Sequence, residues 1–231
     1  DTQGATGYLF SRNLRGCLVD KGIDRQVVAV VTQSLVDPDD PAFAEPSKPI
    51  GSFMDEAEAR EHEQRDGWVL REDSGRGWRR VVASPQPLDI LERQVIGSLV
   101  DSGCVVVACG GGGIPVRREG SGYIGVEAVI DKDFASALLA NQLGVEDFAI
   151  CTAVDAVSLG YNTPEQVDLR ELTIQEAERH LAEGQFGKGS MAPKIQAAIS
   201  FLRNGGRRVV ITSLARLRDA VDGRAGTVIT R

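Results

Sequence analysis

Long apolar runs are missing from this chain. None approaches the roughly 20 residues that a membrane-spanning helix needs, and nothing in it reads as a transmembrane segment. A basic excess is missing too, since the net charge is −7 and the pI is about 5.0. Non-specific binding to nucleic acid needs a cationic face that displaces counterions, so this composition argues against it. A small anionic ligand held by a few local lysines stays open. Histidine is scarce: only His62 and His180 are present, with no Ser-His-Asp spacing. Hydrolytic triads and zinc clusters are thereby disfavoured. The four cysteines, Cys17, Cys104, Cys109 and Cys151, form no C-x-x-C pair. They read as buried free thiols of a reducing compartment. There is no internal repeat.

What is present supports a sizeable core: 231 residues, 42% of them hydrophobic. Strand-like and helix-like stretches alternate. Gln26 to Thr32 is a β-branched run, and Val105 to Ala108 is a continuous apolar strand of the kind a sheet covers on both faces. Leu88, Leu91, Val95 and Leu99 recur at helical spacing, which predicts a helix over 88–102 stopped by Gly103. Val126 to Ile130 reads as the end of a buried strand, and 133–143 as a helix stopped by Gly144. Phe148 to Cys151 is a further strand. Thr173-Ile174-Gln175-Glu176 is a capping box that opens a helix to about Glu183. A helix over 190–204, a strand over 209–212 and a last strand over 227–230 complete the series. Such alternation predicts an α/β fold with a mainly parallel central sheet sandwiched by helices.

The segment 37–84 interrupts this order. It is rich in proline, glycine and charge, and it holds Trp68, Trp78 and the run Arg76 to Arg80. It is too long for an ordinary loop and reads as a projecting subdomain inserted in a domain that spans 1–231. The arginine run reads as a solvated face with tryptophan packing.

In α/β sheets, ligands gather beyond the carboxyl ends of strands. Three motifs fall there: Cys109-Gly110-Gly111-Gly112-Gly113, Asp131-Lys132-Asp133 and Thr152-Ala153-Val154-Asp155. Four glycines let a backbone approach a ligand closely with N–H groups aimed at an anion. The turn lacks G-K-[ST] and is not a P-loop. Lys132 stands at a strand-to-helix turn, where the helix start favours an anion. Asp133 could equally be a plain helix cap. Lys194, in Gly189-Ser190-Met191-Ala192-Pro193-Lys194, sits in the first turn of a helix, where a bound phosphate would offset the unfavourable dipole. Lys48, between Pro46 and Pro49, is held on a stiff backbone or is an ordinary surface lysine. Lysines, a glycine-rich turn and two carboxylates fit phosphoryl transfer, which depends on charge neutralisation and positioning.

Taken in order, these motifs resemble the carbamate kinases, a branch of the amino-acid-kinase family. The resemblance runs from T-Q-G-A-T-G-Y through V-D-P-D-D-P-A-F, K-P-I-G, C-G-G-G-G-I-P, V-I-D-K-D-F-A-S and G-S-M-A-P-K-I to the terminal G-T-V-I-T-R. It implies reversible transfer of a phosphoryl group between ATP and carbamate, by way of ADP and carbamoyl phosphate. It also implies Mg²⁺, a homodimer and a cytoplasmic setting. Lys132 and Lys194 would neutralise phosphates, with Asp131 and Asp133 orienting them. Lys48 would reach carbamoyl phosphate, with Gly110 to Gly113 lining the crevice. Thr152 to Asp155 and Gly189 to Met191 would contact the nucleotide. Ala153 stands where members often carry glycine. The family's G-G-N-A-type and H-G-N-G-type loops are not in this chain. The expectation is that they lie upstream, and that this stretch by itself is weak or inactive. Two other readings remain: a different kinase of the superfamily, against which the Lys48 subdomain argues, and a relative that binds nucleotide without turnover.

Overall fold

β-branched and alanine-rich segments form the framework. The computed structural model describes residues 2–73, 75–187 and 189–231. The chain divides into two compact units, 1–132 and 133–231.

The first unit runs α1 (Thr2–Asp20), β1 (Val27–Ala29), β2 (Gln33–Val36), β3 (Lys48–Met54), α2 (Glu56–Asp66), β4 (Leu70–Glu72), β5 (Trp78–Val82), β6 (Pro87–Ile90), α3 (Arg93–Asp101), β7 (Val105–Val107), β8 (Ile114–Glu119) and β9 (Gly122–Gly125). β1 pairs parallel with β7. A second sheet has the order β6-β2-β8-β9, with β2 and β8 parallel and its other pairs antiparallel. Residues 48–82 build a small antiparallel sheet, β3-β5-β4, together with α2. Asp55 caps α2 by accepting from the Glu58 N–H, and Gly67 closes it at φ 66°. Arginines lie over aromatic rings here: Arg60 over Trp78, Arg80 over Trp68, Arg76 and Arg79 over Phe53. The arginine run of this segment therefore packs on rings as its composition suggested.

Three expectations change, the last of them across the chain. Helix α3 begins at Arg93, not Leu88, because the preceding residues pair with β2: Ser34 faces Ile90 and Leu35 faces Asp89. Leu88 and Val95, two members of the expected apolar stripe, are exposed, and Ile96 is the buried residue of α3. Val126 to Ile130 is no strand. It contributes one bridge, Ala128 to Ala83, and the Val129 N–H donates to the Ala83 carbonyl at 3.0 Å. The cysteines are not all buried: Cys17 and Cys151 are exposed, Cys104 is intermediate and Cys109 is buried.

The second unit runs from α4 (Lys132–Gln142), which starts on the last residue of the first, through β10 (Asp147–Thr152), β11 (Val157–Leu159), β12 (Val167–Leu169), β13 (Glu171–Thr173), α5 (Ile174–Ala182), α6 (Met191–Arg203), β14 (Arg208–Ser213) and α7 (Leu217–Val221) to β15 (Thr227–Thr230). The sheet order is β10-β14-β15-β13. β10 runs parallel to β14, β13 parallel to β15, and β14 antiparallel to β15. The α/β architecture thus holds, with mixed rather than uniformly parallel pairing. The core collects Ile150, Leu172, Ala177, Ile195, Ala198, Phe201, Leu202, Val209, Ile211 and Ile229. Helix α6 is apolar on most of its circumference, as befits a helix buried in a core.

Candidate functional site

In the first unit, two loops come together. β1 ends at Ala29, and the chain continues through Thr32, which is fully buried. β7 ends at Val107 and leads into the tetraglycine turn. Gly110 to Gly112 form one short 3₁₀ turn, entered through Cys109 at φ 54°. Glycine is required here for more than flexibility. Gly112 has φ 91°, and a Cβ on it would collide with the Ile130 carbonyl. Gly113 has φ 83°, and its Cβ would stand 2.5 Å from Ser34 Oγ. Ser34 Oγ instead donates to the Gly112 carbonyl at 2.6 Å. Burial pushes the Cys109 thiol up to about 11, against a smaller opposing pull from its contact with Thr32. It therefore stays protonated at neutral pH and is no nucleophile.

Immediately after buried Ile130 comes Asp131, itself buried. Lys48, the first residue of β3, donates through Nζ to Asp131 Oδ2 at 2.5 Å. The small sheet of residues 48–82 thus delivers a cation to the start of the tripeptide. Lys132 is exposed at the first position of α4.

In the second unit, Asp133 lies in the first turn of α4 and is buried. Lys194, in the first turn of α6, donates through Nζ to Asp133 Oδ2 at 2.8 Å. Both side chains are about nine-tenths covered, at 10% and 9% exposure. A buried lysine is tolerated where a buried carboxylate meets it. Asp133 lies inside the helix rather than at its cap position, and it holds a lysine. β10 extends through Thr152, and the bend of Ala153 to Asp155 follows it. The Asp155 carbonyl accepts from Thr212 Oγ1 at 3.1 Å. Gly189 and Ser190 form the turn before α6, and Met191 packs partly buried against the core.

The structure joins Lys194, one of the lysines that the resemblance has an acid orient, to Asp133, and it joins Asp131 to Lys48, a pairing the sequence did not suggest. Sequence reasoning missed Gln3, Thr32 and Ser34, which hold the tetraglycine turn. Gln3 lies within T-Q-G-A-T-G-Y, but nothing local marks it as a partner of residues more than 100 positions away. A cavity of about 370 Å³ beside this turn is lined by Tyr8, Phe10, Val31, Val107 and Gly110 among others; its largely apolar wall does not suit a phosphate. Among the described residues, no group of three or more His, Cys, Asp or Glu side chains is placed to hold a metal ion.

A sequence profile of the amino acid kinase family matches residues 53–213. A carbamate kinase of Pyrococcus horikoshii is 45% identical over 99% of this chain and 73% of its own length. The chain belongs to the carbamate kinase branch of the amino acid kinase family. A carbamate kinase-like protein of Escherichia coli, YqeA, is 48% identical over 99% of this chain and 74% of its own. Among solved structures, the carbamate kinase of Giardia lamblia bound to AMP-PNP superposes with a TM-score of 0.89. It is 42% identical over 99% of this chain and 72% of its own. The mixed α/β arrangement described above is therefore the amino-acid-kinase fold. Among the described residues, no helix is long and apolar enough to cross a membrane.

Proposed function

We propose that this chain transfers a phosphoryl group reversibly between ATP and carbamate: ADP and carbamoyl phosphate yield ATP and carbamate, which breaks down to ammonia and CO₂. The observation that carries the reading is the tripeptide Asp131-Lys132-Asp133. Each flanking acid is buried and holds a further lysine, and Lys132 is exposed between them. Phosphoryl transfer leaves little covalent chemistry to the protein; it needs fixed cations where charge develops. Lysines held against buried carboxylates are cations of fixed position. The kinship with carbamate kinases supports carbamate as the acceptor.

In this reading Lys132 and Lys194 neutralise phosphate charge, Asp133 orients Lys194 and Asp131 orients Lys48. Lys48 binds the carbamoyl phosphate end. Gly110 to Gly113 line the substrate, and Thr152 to Asp155 with Gly189 to Met191 contact the nucleotide. Mg²⁺ would supply further neutralisation of the nucleotide phosphates. The absence of a three-ligand cluster among the described residues fits an ion carried mainly by phosphate oxygens and water. The homodimer and the cytoplasmic setting belong to the same proposal, through the family alone.

The test is ATP formation from ADP, Mg²⁺ and carbamoyl phosphate. Lys132→Ala is expected to lower kcat at least about a hundredfold, the scale of one lost charge-stabilising donor. A variant within a few-fold of the parent sinks the role given to Lys132. A protein that carries the loops expected upstream, binds nucleotide and yet forms no ATP would favour a non-catalytic relative instead.

A further inference from the structure

Tetraglycine is the costliest kind of backbone to hold in one conformation, and one side chain does much of the holding. Gln3, in the first turn of α1, accepts at Oε1 from the Thr32 N–H at 2.5 Å and from the Thr32 hydroxyl at 3.2 Å. Its Nε2 donates to the Gly110 carbonyl at 3.0 Å and to the Thr32 carbonyl at 3.3 Å. The Thr32 hydroxyl in turn accepts from the Cys109 N–H at 2.7 Å. This orients the carboxamide without ambiguity: a backbone N–H can only donate, so the atom facing Thr32 N is the oxygen and the nitrogen faces Gly110.

The consequence lies on the other side of the turn. In a trans peptide the N–H points opposite to the carbonyl that precedes it. The Gly110 carbonyl is drawn to Gln3, so the Gly111 N–H faces away from Gln3. The Cys109 carbonyl is taken by the Gly112 N–H at 2.9 Å, so the Gly110 N–H also turns outward. Gly110 is helical and Gly111 left-handed, at φ 65° and ψ 14°. That succession is the backbone form of an anion-binding nest.

We propose that Gln3 is a positioning residue for phosphate recognition: it pins the carbonyl side of the tetraglycine turn so that the N–H groups of Gly110 and Gly111 are presented to the phosphate of carbamoyl phosphate. The inference rests on the phosphoryl-transfer reading for its substrate, though not for its geometry. Gln3 itself touches no substrate.

Gln3→Glu is the discriminating variant. It keeps the length and the acceptor for Thr32, and it sets an oxygen against the Gly110 carbonyl. Gln3→Leu removes both roles without charge and serves if the first variant fails to fold. With either Gln3 variant, KM for carbamoyl phosphate should rise about tenfold, the scale of one hydrogen bond's positioning. KM for ADP should stay within twofold. A rise in both constants together, or in neither, overturns the proposal. If the parent forms no ATP, the geometry is tested apart from the phosphoryl-transfer reading, with inorganic phosphate as the probe. Titrating it should shift the Gly110 and Gly111 amide resonances of the parent and not those of Gln3→Glu. Unmoved amides in the parent overturn the nest.

Discussion

Lys194 and Asp133 show how much a single buried pair commits. Each is about nine-tenths covered, and they meet at 2.8 Å. Removing one partner leaves the other charge in a place that water does not reach. Lys194→Met should therefore cost about 3–5 kcal/mol, read from urea unfolding. The double variant Lys194→Met with Asp133→Leu should recover more than half of that loss, because the two buried charges are removed together. A double variant no more stable than the single would show that the site does not tolerate apolar replacement. Both variants should be inactive, which separates the chemistry of the pair from its contribution to stability. The Lys48 pair is different in degree: its lysine is 33% exposed, so solvent compensates part of the loss when Asp131 is removed.

At the scale of elements, α5 offers the clearest case of sequence dictating structure. Thr173 accepts from the Glu176 N–H, and the Glu176 carboxylate accepts from the Thr173 N–H and hydroxyl. These bonds, foremost that from the Thr173 backbone, hold the Glu176 carboxyl below its ordinary value of 4.5. A depressed carboxylate stabilises the fold fully above its unfolded value, and the stabilisation is lost as pH falls through the folded value. Thr173→Ala should cost about 1 kcal/mol at neutral pH, and its gap from the parent should narrow below about pH 4.5 without vanishing. A gap independent of pH would show that the two halves of the box are not coupled. Boxes and glycine stops such as Gly144, at φ 66°, are local, and α4, α5 and α6 lie within a residue or two of where the sequence puts them. The stretch 88–102 failed because a helical period in Leu88, Leu91, Val95 and Leu99 competed with strand pairing to β2, which no local pattern encodes. Val126 to Ile130 failed likewise: Ile130 is buried at 1% exposure and Val126 and Val129 are partly buried, but the stretch meets no extended partner beyond one bridge. The candidate site was legible as a set of residue types and opaque as a set of pairs. Lys48 and Asp131 are 83 positions apart, Lys194 and Asp133 61.

Across the whole molecule, apolar burial is unevenly distributed. In the second unit one cluster gathers α5, α6 and the sheet of β10, β14, β15 and β13, with Ile195, Ala197, Ala198, Phe201, Leu202, Val209 and Ile211 each fully covered. In the first unit β1 and β7 form a two-stranded sheet whose β7 residues are all partly exposed. Amide exchange should therefore be slowest over 195–202 and 209–211 and faster over 105–107, as measured by mass spectrometry of the native chain. The reverse order would mean that burial is a poor guide to opening here. Both tryptophans of the chain belong to the segment of the small sheet that begins at Lys48: Trp78 opens β5, and Trp68 lies just before β4. Trp68 is stacked on His62 at 4.2 Å with Arg80 also over its ring, and Trp78 lies under Arg60. Intrinsic fluorescence is thus a private optical channel of that sheet. Excited near 295 nm, as indole emission requires, the protein reports melting or ligand-induced change around Lys48 and is nearly blind to everything else, so an emission curve and a circular-dichroism curve of one sample describe different parts of it.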